Sequence, residues 1–313
     1  MRVSVGFLMR TAARAALAGL LLQIPCRVGA EDFNLQAAQA AAEKGEAQAQ
    51  YILGKRYAKG QDVPQDYAKA AEYLRKSAGQ GYAAAQNDLG AFYARGWGVK
   101  QDYEEAAKWY RKAAEQGDAL AEYSTGRNYL LGRGVAKDPK EAVRWYRKAA
   151  EQNQPEAMSA LGELYFRGEG EVRVNYQESA KWLRKAADAG RFEALNSLGV
   201  QYENGFGVPK NAEEAVKCFR EAAEKGDARA QMNLGRMYRT GSGVPKDLVQ
   251  AYRWFYLSSR NGDGVGTHYV DEMETAGELT EDQMDEARNM ALAARKGPVS
   301  AEAQAVNGGS QSR

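Results

Sequence analysis

Leu89-Gly90-Ala91-Phe92-Tyr93 is the stretch on which the reading of this 313-residue chain turns. Its glycine belongs to a series, Gly54, Gly90, Gly126, Gly162, Gly199 and Gly235, spaced by 36, 36, 36, 37 and 36 residues. A tyrosine stands three positions after each: Tyr57, Tyr93, Tyr129, Tyr165, Tyr202 and Tyr238. Self-similarity at this period marks a repeat architecture, in which each unit buries its apolar face against its neighbours. Most of the chain is therefore one stacked array, and function is to be sought in binding before chemistry.

One copy, residues 119–154, shows how the array is built. Ala121, Thr125 and Tyr129 form a stripe at helical spacing, which predicts a first helix, A. Gly132-Arg133-Gly134-Val135 ends it, because glycine adopts the left-handed backbone that closes a helix. Asp138 then reads as the N-cap of a second helix, B, with Pro139 at the first helical position and Glu141 completing a capping box. Related pairs recur as Asp102 with Glu105, Asn175 with Glu178, Asn211 with Glu214 and Asp247 with Gln250. In the first copy Asp66 is followed by Lys69, which breaks the box. Ala49, Ala85, Ala121, Ala157, Ala194 and Ala230 are equivalents and predict close helix contact. Tyr73, Trp109, Trp145, Trp182, Cys218 and Trp254 share another slot, read as core. A glycine inside a helix costs about 1 kcal/mol against alanine, so keeping one in every helix A implies a tight contact that offsets the loss.

These residues carry a family resemblance. The run from Asp102 to Gly117 (DYEEAAKWYRKAAEQG), with Leu89-Gly90-Ala91-Phe92-Tyr93 and Gly96-Trp97-Gly98-Val99, resembles the Sel-one-like repeat (SLR) family, a relative of the tetratricopeptide repeats. The likeness covers six copies: 47–82, 83–118, 119–154, 155–191, 192–227 and 228–263. It implies an all-α solenoid of helix-turn-helix units, wound as a right-handed superhelix with a concave inner face lined by helices A. Copy four has one extra residue, read as a longer A–B loop at Gly168-Glu169-Gly170-Glu171-Val172. Residues 31–46 read as an N-terminal capping helix and 264–297 as C-terminal capping helices, with Thr280 as an N-cap. Residues 298–313 read as a disordered tail rich in Ala, Gly, Ser and Gln.

Residues 1–30 read as a signal peptide: Arg2, Arg10 and Arg14 precede a short apolar run, Ala15 to Leu22, and Val28-Gly29-Ala30 sets cleavage after Ala30. The run falls short of the ~20 apolar residues that cross a bilayer, so no stable membrane insertion is expected after cleavage. The expected location is the periplasm or the medium. Removing the leader leaves 39 basic against 41 acidic residues, too balanced for general attraction to nucleic acid. One cysteine, Cys218, remains, so no internal disulfide is available.

Chemistry has little to work with. His268 is the one histidine, placed in the C-terminal cap and far in sequence from Cys218. No His/Cys cluster has zinc spacing, and no cofactor motif is present. The reading is a non-catalytic scaffold or regulator that binds a protein partner. By resemblance its settings include envelope signalling, polysaccharide production or contact with a host. The alternative is a peptidoglycan- or penicillin-binding protein with weak β-lactamase-like hydrolysis, since some cysteine-rich relatives bind penicillin-type ligands. Those relatives staple each repeat with a cysteine pair, which this chain lacks. Helices A, aligned at one helical phase, give the candidate groove: Lys55, Arg95, Tyr123, Arg127, Leu130, Phe166, Arg167 and Arg236, with Leu130, Leu131 and Phe166 either facing that groove or packing between repeats. Trp97 and Phe206, between loop glycines, are either a second contact strip or caps folded onto helix ends.

Overall fold

A computed structural model describes residues 34–296, which form fifteen helices and, apart from one isolated bridge, no β-structure. The leader at 1–30 and the tail at 298–313 lie outside the described residues. Helix α1 (Leu35–Glu43) precedes six pairs of helices A and B. These are α2 (Ala47–Lys59) with α3 (Tyr67–Gly79), α4 (Ala83–Arg95) with α5 (Tyr103–Glu115), and α6 (Ala119–Leu131) with α7 (Pro139–Glu151). They continue as α8 (Pro155–Arg167) with α9 (Tyr176–Asp188), α10 (Glu193–Asn204) with α11 (Ala212–Glu224), and α12 (Ala228–Thr240) with α13 (Leu248–Arg260). Helices α14 (Gly264–Ala276) and α15 (Glu281–Lys296) follow, and packing runs mainly between helices consecutive in the chain.

The motif glycine sits where helix A crosses helix B. A Cβ on Gly126 would stand 2.7 Å from Tyr146 Cδ1 and 3.2 Å from the Ala142 carbonyl oxygen. The same place is filled by Leu74 against Gly54, Tyr110 against Gly90, Leu183 against Gly162, Phe219 against Gly199 and Phe255 against Gly235. The side chain one residue after the Trp slot is thus the anchor of each pair, and Tyr146, Phe219 and Phe255 are fully buried. The Trp slot itself seals the seam to the preceding repeat: Trp145 packs on Ala113, Ala114 and Ala121. Its exposed face is covered by Lys148, whose Nζ lies 4.1 Å from the ring centroid. Cys218 is buried in this slot, and burial pushes its thiol pKa up to about 11.

The start of helix B corrects the capping-box reading. Asp138 caps α7 as expected, accepting from the Glu141 backbone N–H at 3.0 Å. The Glu141 carboxylate does not return to the cap; it accepts from Arg144 at 2.9 Å. The cap's own N–H instead donates to the Tyr129 carbonyl at 2.8 Å, tying helix B to the end of helix A. The same tie joins Asp66 to Tyr57, Asp102 to Tyr93, Asn175 to Tyr165, Asn211 to Tyr202 and Asp247 to Tyr238. Lys69 in the first copy therefore breaks nothing, and Asp66 still accepts from its N–H at 2.9 Å.

Two sets of side-chain bonds brace the stack, the first joining one repeat to the next and the second tying helix A to helix B within a repeat. An arginine of helix B donates to the motif tyrosine hydroxyl of the following helix A: Arg75 to Tyr93 at 3.2 Å, Arg147 to Tyr165 at 2.7 Å and Arg220 to Tyr238 at 3.1 Å. A buried polar residue early in helix A accepts from the amide that ends helix B: Gln50 from Gln80, Gln86 from Gln116, Glu122 from Gln152 and Gln231 from Asn261.

The extra residue of copy four lies in the A–B loop, where Glu169 and Val172 exchange backbone hydrogen bonds of 3.1 and 2.9 Å. At the ends, Leu35, Ala38 and Ala41 of α1 cover Ala49 and Leu53. Met273, Met284 and Ala287 of α14 and α15 cover Ala251, Tyr252 and Phe255. Thr280 makes a reciprocal box with Gln283: its N–H donates to Gln283 Oε1 at 3.0 Å, and its Oγ1 accepts from the Gln283 N–H at 3.3 Å.

Candidate functional site

Helices A stand side by side, so residues at one helical phase form a continuous surface. Its two ends are occupied by bonds between repeats. Lys55 pairs with Asp88 at 3.0 Å, and Arg236 with Glu203 at 2.7 Å. Asn233 donates to Asn196 at 2.9 Å, and Ser197 donates to Glu163. Lys55 and Arg236, expected among the contact residues, thus hold helices A to each other.

The middle of the surface is open. A cleft of ≈ 490 Å³ lies between α6 and α8, walled by Tyr123, Leu130, Leu131, Ala160, Leu164 and Arg167. Leu130 and Tyr123 reach down to the core with one face, while Leu131 is 49% exposed at the lip. Lys137 pairs with Glu169 at 2.6 Å on the rim, and Arg167 with Glu163 at 3.4 Å. A second cleft, ≈ 470 Å³, lies on the other flank of α6, toward α4. Arg95, Arg127 and Arg133 line it together with Trp97, Tyr103 and Tyr110.

The eight sequence-predicted residues therefore divide among several places. Tyr123, Leu130 and Arg167 meet in the first cleft, Arg95 and Arg127 in the second, and Lys55 and Arg236 in the inter-repeat ladder. Phe166 is outside both clefts: its ring centroid lies 5.5 Å from that of Tyr176 and 6.3 Å from that of Phe206, on the loop edge. Phe206 stacks on Tyr176 at 4.8 Å, and Trp97 on Tyr67 at 5.2 Å, so both fold back onto the start of the preceding helix B while staying 37% exposed.

Sequence reasoning missed Tyr103, Tyr110 and Arg133. Tyr110 follows Trp109 in the anchor position of helix B, so the phase of helices A alone does not point to it. Arg133 occupies the loop slot that holds Trp97 and Phe206 in other copies, which was the available signal.

Among the described residues no cluster of His, Cys, Asp or Glu is arranged to hold a metal. His268 is exposed on α14, 6.0 Å from the Tyr269 ring. No described helix is long and apolar enough to cross a membrane.

Comparison with known proteins agrees with this architecture. The Sel1 repeat model matches residues 47–82, 83–118, 119–154, 155–190, 192–227 and 228–263. The chain is similar to the crystal structure of a protective antigen of uropathogenic Escherichia coli strains that displays an SLR fold. That likeness has 36% identity and a TM-score of 0.75, and it covers 82% of this chain and 55% of that one. The chain thus spans little more than half the length of that relative. A Sel1 repeat protein from Oxalobacter formigenes is likewise 36% identical, with a TM-score of 0.68 over 78% of this chain and 96% of that one. No curated protein matches the chain.

Proposed function

The chain belongs to the Sel1 repeat family, and from that premise we propose that it is a binding scaffold of the bacterial envelope that holds a segment of a partner protein along α6 and α8. Sel1 repeat proteins generally mediate protein–protein interactions, and the fold is generally a non-catalytic scaffold. The observation that carries the reading is the cleft in which exposed Leu131 stands beside Leu130, Tyr123 and Arg167. Apolar anchors with aromatic and arginine neighbours in a concavity are the composition of binding hot spots. Export is supported by the charged start, short apolar run and Val28-Gly29-Ala30 of the sequence. The likeness to a protective antigen also favours a role in the envelope or at a host surface.

The test places a photo-crosslinking amino acid at Leu131 in the native cell and, as a control, at Lys112 on the outer face. One protein captured at Leu131 and not at Lys112 is then titrated against purified Leu130→Ser protein. Loss of a central anchor is expected to cost ~2 kcal/mol, about thirtyfold in Kd. Equal capture at both positions, or unchanged affinity for Leu130→Ser, overturns the reading. Intact-mass analysis of the protein from its own cell is expected to show a chain beginning at Glu31; a retained Met1 would remove the argument for export.

A further inference from the structure

The repeat symmetry shows which cation lacks its anion. Lys55 of α2 meets the carboxylate of Asp88, 33 positions later, and Arg236 of α12 meets that of Glu203, 33 positions earlier. Arg127 of α6 is their equivalent in copy three. The residues 33 positions on either side of it are Ala94 and Ala160, so neither neighbouring helix A offers it a carboxylate at the positions that serve Lys55 and Arg236. Ala94 lies in the wall of the cleft between α4 and α6.

That cleft concentrates positive charge. The Arg95 guanidinium lies 4.5 Å over the Trp97 ring, and that of Arg133 lies 5.6 Å over the Tyr103 ring. Both arrangements present a guanidinium edge on a rigid aromatic support. Burial raises the pKa of Tyr110, a lining residue, while the charges of Arg127 and Arg95 lower it and that of Asp88, already paired with Lys55, adds to the rise. Among the described residues Arg95, Arg127 and Arg133 form no ion pair, and no acidic side chain lines the cleft. Asn128, also in the lining, is 7% exposed and its amide Nδ2 has no hydrogen-bond partner among the described residues.

We propose that this cleft binds a side-chain carboxylate of an acidic partner peptide, which takes beside Arg127 the place that Glu203 holds beside Arg236. A carboxylate, not a bulkier anion, is the class assigned because it is the group that the fold itself supplies at the two equivalent cations. Guanidinium pairs carboxylate with two parallel hydrogen bonds, so the contact is directional as well as charged. The second cleft shares α6 with the first, so one segment can seat an apolar side chain at Leu130 and an acidic one at Arg127. In this the inference rests on the scaffold reading above.

The test selects dodecapeptides from a random displayed library on the purified protein, then measures a chosen peptide by fluorescence anisotropy. Asp and Glu are expected to be enriched, with affinity falling tenfold or more for Arg127→Gln. Ala94→Glu, which restores an internal carboxylate, is expected to weaken binding as much while melting no lower than the parent. The peptide with Glu and Asp changed to Gln and Asn is expected to bind tenfold weaker to the parent and to distinguish none of the proteins. That last arm decides the matter even where a protein variant fails to fold. Selected peptides without acidic enrichment, or unchanged affinity of the amide peptide, overturn the carboxylate site and leave the scaffold reading standing. Displacement of the peptide by inorganic phosphate at concentrations where succinate has no effect assigns the cleft to phosphate and overturns the proposal. Recovery of no binding peptide overturns both readings.

Discussion

One hydrogen atom is all that the space beside Tyr146 admits at Gly126, where an added Cβ would lie 2.7 Å from the ring. Alanine there gains helix propensity worth about 1 kcal/mol but forces the ring or the helix to shift. Gly126→Val adds further atoms and is expected to lower stability by ~1–3 kcal/mol, more than Gly126→Ala does. Thermal melts of both variants check this, and parent-like melting of both would contradict the tight crossing. Glu122 invites the opposite change. It is 4% exposed, and burial raises its carboxyl pKa above the ordinary value, partly opposed by the hydrogen bond from Gln152. The charged form is therefore disfavoured in the folded chain, and its equivalents Gln50, Gln86 and Gln231 carry no charge. Glu122→Gln is expected to stabilise by about 0.5–2 kcal/mol at neutral pH, as substitutions toward a repeat consensus commonly do. A carboxyl whose folded pKa is raised stabilises the fold increasingly as pH falls through that pKa. The advantage of the glutamine should thus shrink in acid, and melts at pH 7 and pH 4 test the trend.

At the level of the element, helix B separates two devices that look like one in sequence. Asp138 satisfies a backbone N–H of α7, whereas Glu141 pairs with an Arg144 side chain that is 77% exposed. Asp138→Ala is expected to cost ~1 kcal/mol and Glu141→Ala less than half of that, because exposed ion pairs contribute little. Equal losses would show that the reciprocal box forms in solution after all. This pair also shows what the sequence carries and what it hides. Helix A and helix B were readable because Asp138, Pro139 and the Gly132-Arg133-Gly134 stop are local signals, each acting within one turn. The tie from the Asp138 N–H to the Tyr129 carbonyl spans nine positions and involves backbone atoms, to which residue type is nearly blind. Phe166 was misplaced for a related reason. Helical phase puts it in the groove with Leu130, whereas its ring lies beside those of Tyr176 and Phe206 on the loop side. Arg127 was found because an exposed cation on a known face needs only phase to be located. That its neighbours at Ala94 and Ala160 are uncharged became meaningful once the ladder at Lys55 and Arg236 gave those positions a role.

Across the whole molecule, stability depends on closing the ends of the stack. Helices α14 and α15 cover Tyr252 and Phe255, which are fully buried with this cap in place, and full exposure of a large apolar side chain costs about 1.5–3 kcal/mol. A chain stopped after Gly262 is therefore expected to melt lower and to associate through the uncovered α13 face, as read by calorimetry and light scattering. Monomeric behaviour with an unchanged melting temperature would show that the last pair needs no cap. The turn of copy four has a different consequence. Its extra residue is absorbed where Glu169 and Val172 bond to each other, and Asn175 still reaches the Tyr165 carbonyl at 2.8 Å, as Asp138 reaches that of Tyr129. Glu169 also stands on the rim of the cleft between α6 and α8. Length can thus be gained or lost at this hairpin without disturbing the register of a single helix, while the edge of the cavity is redrawn. Descent with modification then has an inexpensive dial for recognition: the scaffold stays constant, and a lineage changes what it grips by re-cutting one turn.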